Sequence, residues 1–379
     1  MRGWPRQQEL LSGAESWRLG FYAYALLSNM VFGMYIVASR DLVKQVLGND
    51  YSFISFLIAA ENMPAIFSVV AGGLSDVLGR KGLILLGLAG VPALALMYVA
   101  PIDVLPVLAG TYVTFWTISI PSVMGTLLDR TRSSSMHYSI YAMFGSVGWG
   151  LSGVLAGFLA GAFGDRIVFV VAAALLGTGL MFAYATHPGG GGGVSARDVL
   201  AGAKLVLLPL LAAATSIAAA DGFYGVFSLK LRDIAGSSEV FGLLYTTLPA
   251  LVGVFARPAA GVVTERLGAL RSFFCVVASY AVVLPLMAVT SGPVAVMFWI
   301  LPLWPFLDQS MVMLISRSLP GCLQGLAAGV VNTAYSLAGL LVLMAALTPA
   351  FSSLYVAAVT ALFFLGIASL ALFASRLRH

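Results

Sequence analysis

The stretch Gly72-Gly73-Leu74-Ser75-Asp76-Val77-Leu78-Gly79-Arg80-Lys81 separates two long apolar runs and decides the fold. A partial copy, Gly261-Val262-Val263-Thr264-Glu265-Arg266-Leu267-Gly268, follows another apolar run in the second half of the chain. The acids Asp76 and Glu265 are 189 residues apart, and so are the glycines Gly79 and Gly268. Because this offset is half of the 379-residue length, the repeat predicts two related halves.

The composition indicates that lipid is the solvent of this chain. Of its 379 residues, 60% are hydrophobic and only 9% are charged, whereas a soluble domain carries about 25% charged residues. Continuous apolar runs of about 20 residues match helices that cross a bilayer, and not the alternating segments of a membrane barrel. We therefore predict an all-α integral membrane fold with twelve spans. They fall at 19–38, 51–71, 81–100, 105–127, 138–163, 167–186, 204–229, 240–260, 271–290, 294–316, 323–347 and 351–374.

One glycine-rich stretch, His187-Pro188-Gly189-Gly190-Gly191-Gly192-Gly193, separates the first six spans from the last six. Consecutive glycines do not form a stable helix, because each loses much backbone freedom on ordering. We predict an amino-terminal six-helix bundle over 1–186, a cytoplasmic linker over 187–198 and a carboxy-terminal six-helix bundle over 199–379.

The basic residues are distributed unequally between the two sides of the spans. Of the 20 Lys and Arg residues, 14 lie on the side of the chain ends, five lie on the opposite side and Arg257 lies within span 8. The positive-inside rule assigns the richer side to the cytoplasm. We expect a multi-pass protein of the cell membrane with both termini cytoplasmic and no cleaved signal peptide. The net charge of +5 is then a topology signal, and no nucleic-acid partner is expected.

The loop Gly-x-x-x-Asp-x-x-Gly-Arg-Lys between spans 2 and 3, with its copy between spans 8 and 9, resembles the signature loop of the major facilitator superfamily. The resemblance implies twelve helices in two pseudo-symmetric six-helix bundles. It also implies a cytoplasmic latch, in which Asp76 faces the start of helix 11 near residues 318–321 and Arg80 pairs with Asp129. The predicted gate residues are Gly72, Asp76, Gly79, Arg80, Lys81, Asp129, Gly261, Glu265, Arg266 and Gly268.

The second copy of the loop departs from the family pattern. Glu265 is expected to face the start of helix 5 near residues 133–135. However, Ala269 stands in the place of Arg80, and Ser318 stands in the place of Asp129. The first-half latch is therefore expected to be the stronger of the two. The alternative is that these charges only anchor a solvated loop.

Three acids fall at bilayer depth, where an ionisable side chain is costly and marks a functional site by default. Glu61 lies on a small, polar stripe in span 2 and is the first candidate for proton coupling, with Asp221 and Asp308 behind it. The alternative for each acid is a structural carboxylic acid that is hydrogen-bonded, while neutral, to a neighbouring helix. Arg257 lies near the end of span 8, where a structural role is favoured over solute contact.

Several polar and aromatic residues in the spans are candidates for the wall of a solute pathway. They are Asn29, Tyr35, Trp116, Thr117, Trp304, Gln309 and Asn332. The alternative for the aromatic residues is packing or lipid contact, since 11% of the chain is Phe, Trp or Tyr.

The sequence therefore predicts a secondary transporter that works by alternating access, with helices 1, 4, 7 and 10 lining the pathway as the resemblance implies. No nucleotide-binding signature occurs, so a proton gradient is the expected energy source. The apolar, net negative pathway favours export of a lipophilic or cationic solute. The alternatives are proton-linked uptake of a small organic solute such as a sugar, and a sensor that binds a solute without moving it. We expect a monomer with no cofactor, no metal site and no catalytic residues, since no constellation of a membrane enzyme is present.

Overall fold

The computed structural model describes residues 5–47, 51–189, 193–235, 240, 243–348, 350 and 353–376, and every long element among them is helical. The helices of the first half are α1 (Pro5–Leu47), α2 (Tyr51–Asn62), α3 (Phe67–Leu78), α4 (Lys81–Leu86), α5 (Gly90–Leu96), α6 (Leu105–Arg130), α7 (Ser135–Phe163) and α8 (Asp165–Thr186). Those of the second half are α9 (Ala196–Leu205), α10 (Leu207–Ala235), α11 (Leu248–Leu267), α12 (Ala269–Val289), α13 (Gly292–Ile300), α14 (Leu303–Arg317), α15 (Gln324–Ala346) and α16 (Leu354–Arg376).

Within the described ranges, ten helical stretches are long and apolar enough to cross a bilayer. They are Trp17–Leu47, Ile102–Arg130, Ser135–Phe163, Asp165–Thr186, Leu207–Phe227, Leu243–Leu267, Ala269–Val289, Gly292–Arg317, Gly321–Ala345 and Leu354–Arg376. The all-helical membrane fold is thus confirmed. The spans predicted at 51–71 and 81–100 are also helical, but the 3-10 turns Met63–Ile66 and Gly87–Ala89 interrupt them. Pro64 contributes to the first interruption, because its ring nitrogen has no hydrogen to donate.

Some boundaries differ from those predicted. Helix α1 continues to Leu47 instead of ending at 38, so Arg40 belongs to a span and not to a flanking loop. The predicted start of span 7 at 204 is replaced by the separate helix α9, which Ser195 caps by accepting a hydrogen bond from the Asp198 amide. Residues 190–192 of the predicted linker, and the chain ends at 1–4 and 377–379, lie outside the described residues.

Two irregularities lie in the second half. The tenth span is broken between α13 and α14 at Pro302, which has φ −80° and ψ 48°. The eighth span begins with a π-helical turn at Leu243–Thr247, and the Leu244 carbonyl in that turn accepts a hydrogen bond from the Trp299 indole at 3.0 Å. Both irregularities border the space between the halves, where interrupted helices are tolerated because they line protein or water.

Small residues allow the helices to approach closely. A Cβ on Gly148 of α7 would lie 2.0 Å from the Leu26 carbonyl oxygen of α1, and one on Gly72 of α3 would lie 2.3 Å from the Gly325 carbonyl oxygen of α15. The main contacts between the halves are those of α3 with α15 and those of α7 with α11. Such packing provides stability in lipid, where burial of apolar surface between helices has little driving force.

Candidate functional site

A cavity of about 530 Å³ lies between the two halves, and both α10 and α14 contribute residues to its wall. Five of the predicted pathway residues line it, namely Asn29, Trp116, Thr117, Trp304 and Asn332. The acids Glu61, Asp221 and Asp308 and the base Arg257 also contribute to its wall. Further aromatic side chains in the wall are Phe32, Trp149, Tyr224, Tyr245 and Trp299. The cavity wall is therefore rich in aromatic side chains, and its acids and bases are the four residues Glu61, Asp221, Asp308 and Arg257.

Two of the predicted pathway residues, Tyr35 and Gln309, do not line this cavity. Tyr35 is fully buried and donates a hydrogen bond to the Glu61 Oε1 atom at 2.6 Å. Gln309 is fully buried as well, where it accepts from the Ser139 hydroxyl at 2.9 Å and donates to the Ser135 carbonyl at 3.0 Å. Both side chains point at neighbouring helices, which helical periodicity alone could not distinguish from a central pathway.

The carboxylate of Glu61 is paired with Arg40. Its Oε1 atom accepts from Arg40 Nη1 at 2.9 Å, and its Oε2 atom accepts from Arg40 Nη2 at 2.6 Å. Together with the hydroxyl of Tyr35, these bonds give the buried carboxylate three donors from α1. A bidentate arginine stabilises the ionised form of a carboxylate. Nothing in the sequence indicated Arg40, because hydropathy assigned it to a loop.

The carboxylate of Asp308 is also paired. Arg257 of α11 and Tyr138 of α7 both donate to its Oδ2 atom, the tyrosine at 3.0 Å, and Tyr335 of α15 donates to Oδ1 at 3.2 Å. Arg257 is thus part of the cavity wall, and its ion pair with Asp308 agrees with the structural role that the sequence favoured. Its Nε atom also lies 3.4 Å from the Ser146 hydroxyl of α7.

Asp221 differs from the other two acids. Its side chain is exposed inside the cavity, and among the described residues no Lys or Arg nitrogen lies within 4.0 Å of its carboxylate. Tyr224 follows one helical turn later, and its ring centroid lies 4.9 Å from that of Trp299. Trp299 also stacks on Tyr245, at 5.4 Å between centroids. Since Arg40 pairs with Glu61 and Arg257 pairs with Asp308, Asp221 is the one of the three acids that has no basic partner among the described residues, and it lies beside an aromatic cluster.

The first signature loop closes one end of the cavity. We call this end of the protein the motif face; it consists of residues 76–81, 129–135, 265–271 and 317–326. The Asp76 carboxylate accepts hydrogen bonds from the backbone N–H groups of Gly325 and Leu326, at 3.0 and 2.8 Å. Arg80 donates to Asp76 at 3.0 Å and to Asp129 at 3.1 Å. The contact of Asp76 is therefore with 325–326 and not with 318–321 as predicted, because a 3-10 turn at Gly321–Leu323 delays the start of α15.

The second signature loop makes a weaker contact. Glu265 accepts from Arg317 at 2.9 Å, and Arg317 also donates to the Ser135 hydroxyl at 3.0 Å. The side chains of Glu265 and Arg317 are 58% and 36% exposed, whereas those of Asp76 and Arg80 are 0% and 2% exposed. The basic partner of Glu265 is thus Arg317, at the end of α14. It lies one residue before Ser318, the position that corresponds to Asp129, so the repeat between the halves did not indicate it.

The remaining gate residues shape the two loops. Gly79 and Gly268 have φ angles of 101° and 82°, which only glycine adopts without strain. A Cβ on Gly261 would lie 2.2 Å from the Ser139 hydroxyl, so glycine is required for close contact with α7. Lys81 lies over the Tyr184 ring with its Nζ atom 4.5 Å from the centroid. Arg266 is exposed, and no ion pair joins it to the described residues.

His187 lies behind the first latch, just beyond the end of α8. Its Nε2 atom lies 2.9 Å from the Thr126 hydroxyl, and its Nδ1 atom accepts from the Gly189 amide at 3.1 Å. Burial, with the positive charges of Arg80 and Lys81, lowers the pKa of His187 to about 4. The imidazole is therefore neutral at physiological pH.

The chain is similar to a known family in sequence and to solved proteins in structure. The profile of the Major Facilitator Superfamily matches residues 21–343. The human organic anion transporter MFSD10 (TETRAN) superimposes with a TM-score of 0.71 at 14% identity, over 95% of this chain and 99% of that one. The nucleoside transporter NupG, solved as a mutant, superimposes with a TM-score of 0.65 at 12% identity, over the same shares of the two chains. These identities show a shared fold alone. No curated protein matches the sequence.

Proposed function

The chain belongs to the major facilitator superfamily, and we propose that it is a proton-coupled secondary transporter that exports lipophilic organic cations. Its family and fold are those of membrane transporters and not of enzymes. The coupling ion, the solute class and the direction are the content of the proposal. One observation carries it, namely the carboxylate of Asp221 without a basic partner in an aromatic cavity.

A cationic solute suits this cavity on two grounds. The carboxylate of Asp221 offers a charge that no described Lys or Arg already occupies. The ring faces near it attract a cation through their quadrupole, with about 0.5–2 kcal/mol for each well-placed contact. An anionic solute would meet a net negative wall, so it is disfavoured even though one structural neighbour is an organic anion transporter.

Proton coupling also centres on Asp221 in this proposal. Arg40 pairs with Glu61 and Arg257 pairs with Asp308, whereas Asp221 has no such partner among the described residues. The order of the three candidates therefore changes, with Asp221 ahead of Glu61. A single carboxylate cannot hold a proton and a cation together, so the two ligands compete. Competition at one site that is exposed alternately to the two sides produces exchange of solute for proton.

Alternating access is proposed to proceed between the present state and one that is open at the motif face. The latch of Asp76 and the contacts of α7 with α14 hold the motif face closed here. We infer that this face is cytoplasmic, since the positive-inside rule assigns the arginine-rich loops to that side. The protein would then act as a monomer in the cell membrane, with the cavity formed within one chain.

The test is proton movement in proteoliposomes that contain a pH-sensitive dye. Tetraphenylphosphonium, a lipophilic tertiary amine, a neutral sugar and an organic anion would be added in turn. Asp221→Asn is compared with the wild type and with Asp103→Asn, which removes an exposed acid outside the cavity. The proposal expects a pH change driven by the cations in the wild type and in Asp103→Asn, and its loss in Asp221→Asn.

Other outcomes would decide between the alternatives. A pH change driven by the sugar alone would replace export of cations by proton-linked uptake of a neutral solute. Cation flux without a pH change would remove proton coupling. Cation binding without flux in any condition would indicate a sensor.

A further inference from the structure

A row of polar contacts joins α7 of the first half to α14 of the second half. From the cavity toward the motif face, Tyr138 donates to Asp308 at 3.0 Å and Ser139 donates to Gln309 at 2.9 Å. Gln309 in turn donates to the Ser135 carbonyl at 3.0 Å. The two halves cannot part at the motif face without breaking this row.

The contact between Tyr138 and Asp308 is the member of the row that borders the cavity. Both side chains line the cavity, whereas Ser139 and Gln309 are fully buried behind them. A solute or proton that enters the cavity can therefore reach this contact without displacing any helix. The Tyr138–Asp308 contact is thus a member of this row that the transported species can reach.

The three partners of the Asp308 carboxylate belong to different halves. Arg257 and Tyr335 lie on α11 and α15, so they move with Asp308 when the second half moves. Tyr138 lies on α7 of the first half, so its hydrogen bond is the one of the three that is lost on opening. Tyr141, one turn further along α7, faces the same cavity and has no hydrogen bond to the described residues. No other titratable group pairs with Asp308 among the described residues.

We propose that Tyr138 is a positioning residue that makes the charge of Asp308 hold the motif face closed. The inference rests on alternating access in the proposed function, and not on the identity of the solute. A hydroxyl bonds an ionised carboxylate more strongly than a neutral one. A proton taken up by Asp308, or a cation that draws its charge away, weakens the bond and frees α7 from α14. Tyr138 keeps its own proton, and Arg257 stays charged throughout.

Thermodynamic linkage requires that closure of the motif face and ionisation of Asp308 favour each other. Whatever favours the closed motif face also favours the ionised form of Asp308, because the two equilibria share one coupling free energy. The hydroxyl of Tyr138 is the group that carries this coupling across the boundary between the halves.

The test measures the opening of the motif face directly in the full-length protein. Spin labels are attached at Arg132→Cys and Arg271→Cys, two exposed positions on opposite halves, after Cys275 and Cys322 are replaced by serine. Distances between the labels are measured without solute or gradient. Tyr138→Phe is expected to raise the ratio of open to closed molecules by roughly tenfold, the effect of losing one hydrogen bond to a charge. Tyr141→Phe is the matched control and is expected to keep the wild-type distribution.

A second variant separates this coupling from a general loss of packing. Asp308→Asn is expected to raise the open population by itself. In that background, Tyr138→Phe is expected to add little, because the charge that the hydroxyl held is already gone. A Tyr138→Phe distribution equal to that of the wild type, or fully additive effects in the double variant, would overturn the proposal.

The result is independent of the transport assay. A shift of the distances in a protein that moves no cation would keep this inference and remove the proposed solute. Normal cation flux with no shift in Tyr138→Phe would remove the inference and keep the proposed function.

Discussion

Arg40 and Glu61 form a bidentate ion pair, in which the two terminal guanidinium nitrogens each donate to one carboxylate oxygen, at 2.9 and 2.6 Å. The pair lies at the edge of the cavity, where the Arg40 side chain is 26% exposed and that of Glu61 only 3%. Its members come from α1 and α2, so it ties the first two spans together.

Removing one member of this pair is expected to destabilise the protein. Arg40→Gln leaves a buried carboxylate without its cation, and we expect a loss of about 2 kcal/mol, between the values for exposed and fully buried pairs. Thermal unfolding in detergent would measure it. The double variant Arg40→Gln with Glu61→Gln is the control and is expected to recover part of the loss. A single variant as stable as the wild type would contradict a structural role for the pair.

The two latches are expected to differ in strength. Asp76→Asn removes a fully buried charge that accepts two backbone amides and pairs with Arg80, so we expect a loss of about 2–4 kcal/mol. Glu265→Gln affects an exposed pair, and less than about 1 kcal/mol is expected. Melting temperatures of the two variants, measured side by side, provide the test. Equal losses would mean that burial does not set the strength of the latches.

Glycines on α7 provide a matched pair of substitutions. A Cβ at Gly148 would lie 2.0 Å from the Leu26 carbonyl oxygen, whereas one at Gly157 meets nothing within 4 Å. Gly148→Ala is therefore expected to destabilise by about 1–3 kcal/mol through forced separation of α1 and α7. Gly157→Ala is expected to be neutral or stabilising by about 0.5–1 kcal/mol, since alanine is the better helix former. Retained stability in Gly148→Ala would show that α1 and α7 are packed less closely than described.

Because His187 is neutral in the folded protein, we predict that the folded protein loses stability in acid. In the folded protein the pKa of His187 is about 4, below the ordinary histidine pKa of 6.5. Between these values the unfolded chain binds a proton that the folded protein does not, so stability rises with pH. The contribution is fully present above about pH 6.5 and is lost as the pH falls toward 4. We expect His187→Gln to reduce the difference in melting temperature between about pH 7.5 and about pH 5. An unchanged difference would show that His187 is accessible to protons in the folded state.

The sequence predicted those features that depend on spacing and hydropathy. The repeated loops identified the positions of Asp76, Arg80 and Asp129, which the structure brings into one network. Apolar runs located ten spans that the structure describes as long helices. The division at 186 and 198 into two bundles and a linker remains a prediction, as do the roles of the gate and coupling residues.

The partners of the buried acids could not be predicted. Arg40 lies two residues past the predicted end of span 1, so hydropathy separated it from Glu61. Tyr138 and Asp308 are 170 residues apart and meet only when α7 crosses α14. Helical periodicity tells which face a side chain occupies, but it does not tell which helix that face meets. The same limit explains why Tyr35 and Gln309 were assigned to the pathway.

The hydrogen bonds between Asp76 and α15 have a consequence for the synthesis and membrane insertion of the protein. They join residues 249 and 250 positions apart in the chain. At about 5–20 residues per second, a ribosome needs about 12–50 s to synthesise the interval. During that time Arg80, four residues away, is the nearest cation that can neutralise the acid. The first half therefore enters the membrane with an unfinished polar site, and only the arrival of the eleventh span completes it. A chain truncated before Gly325 lacks both backbone partners of Asp76, so we expect it to leave this acid without two of its hydrogen bonds.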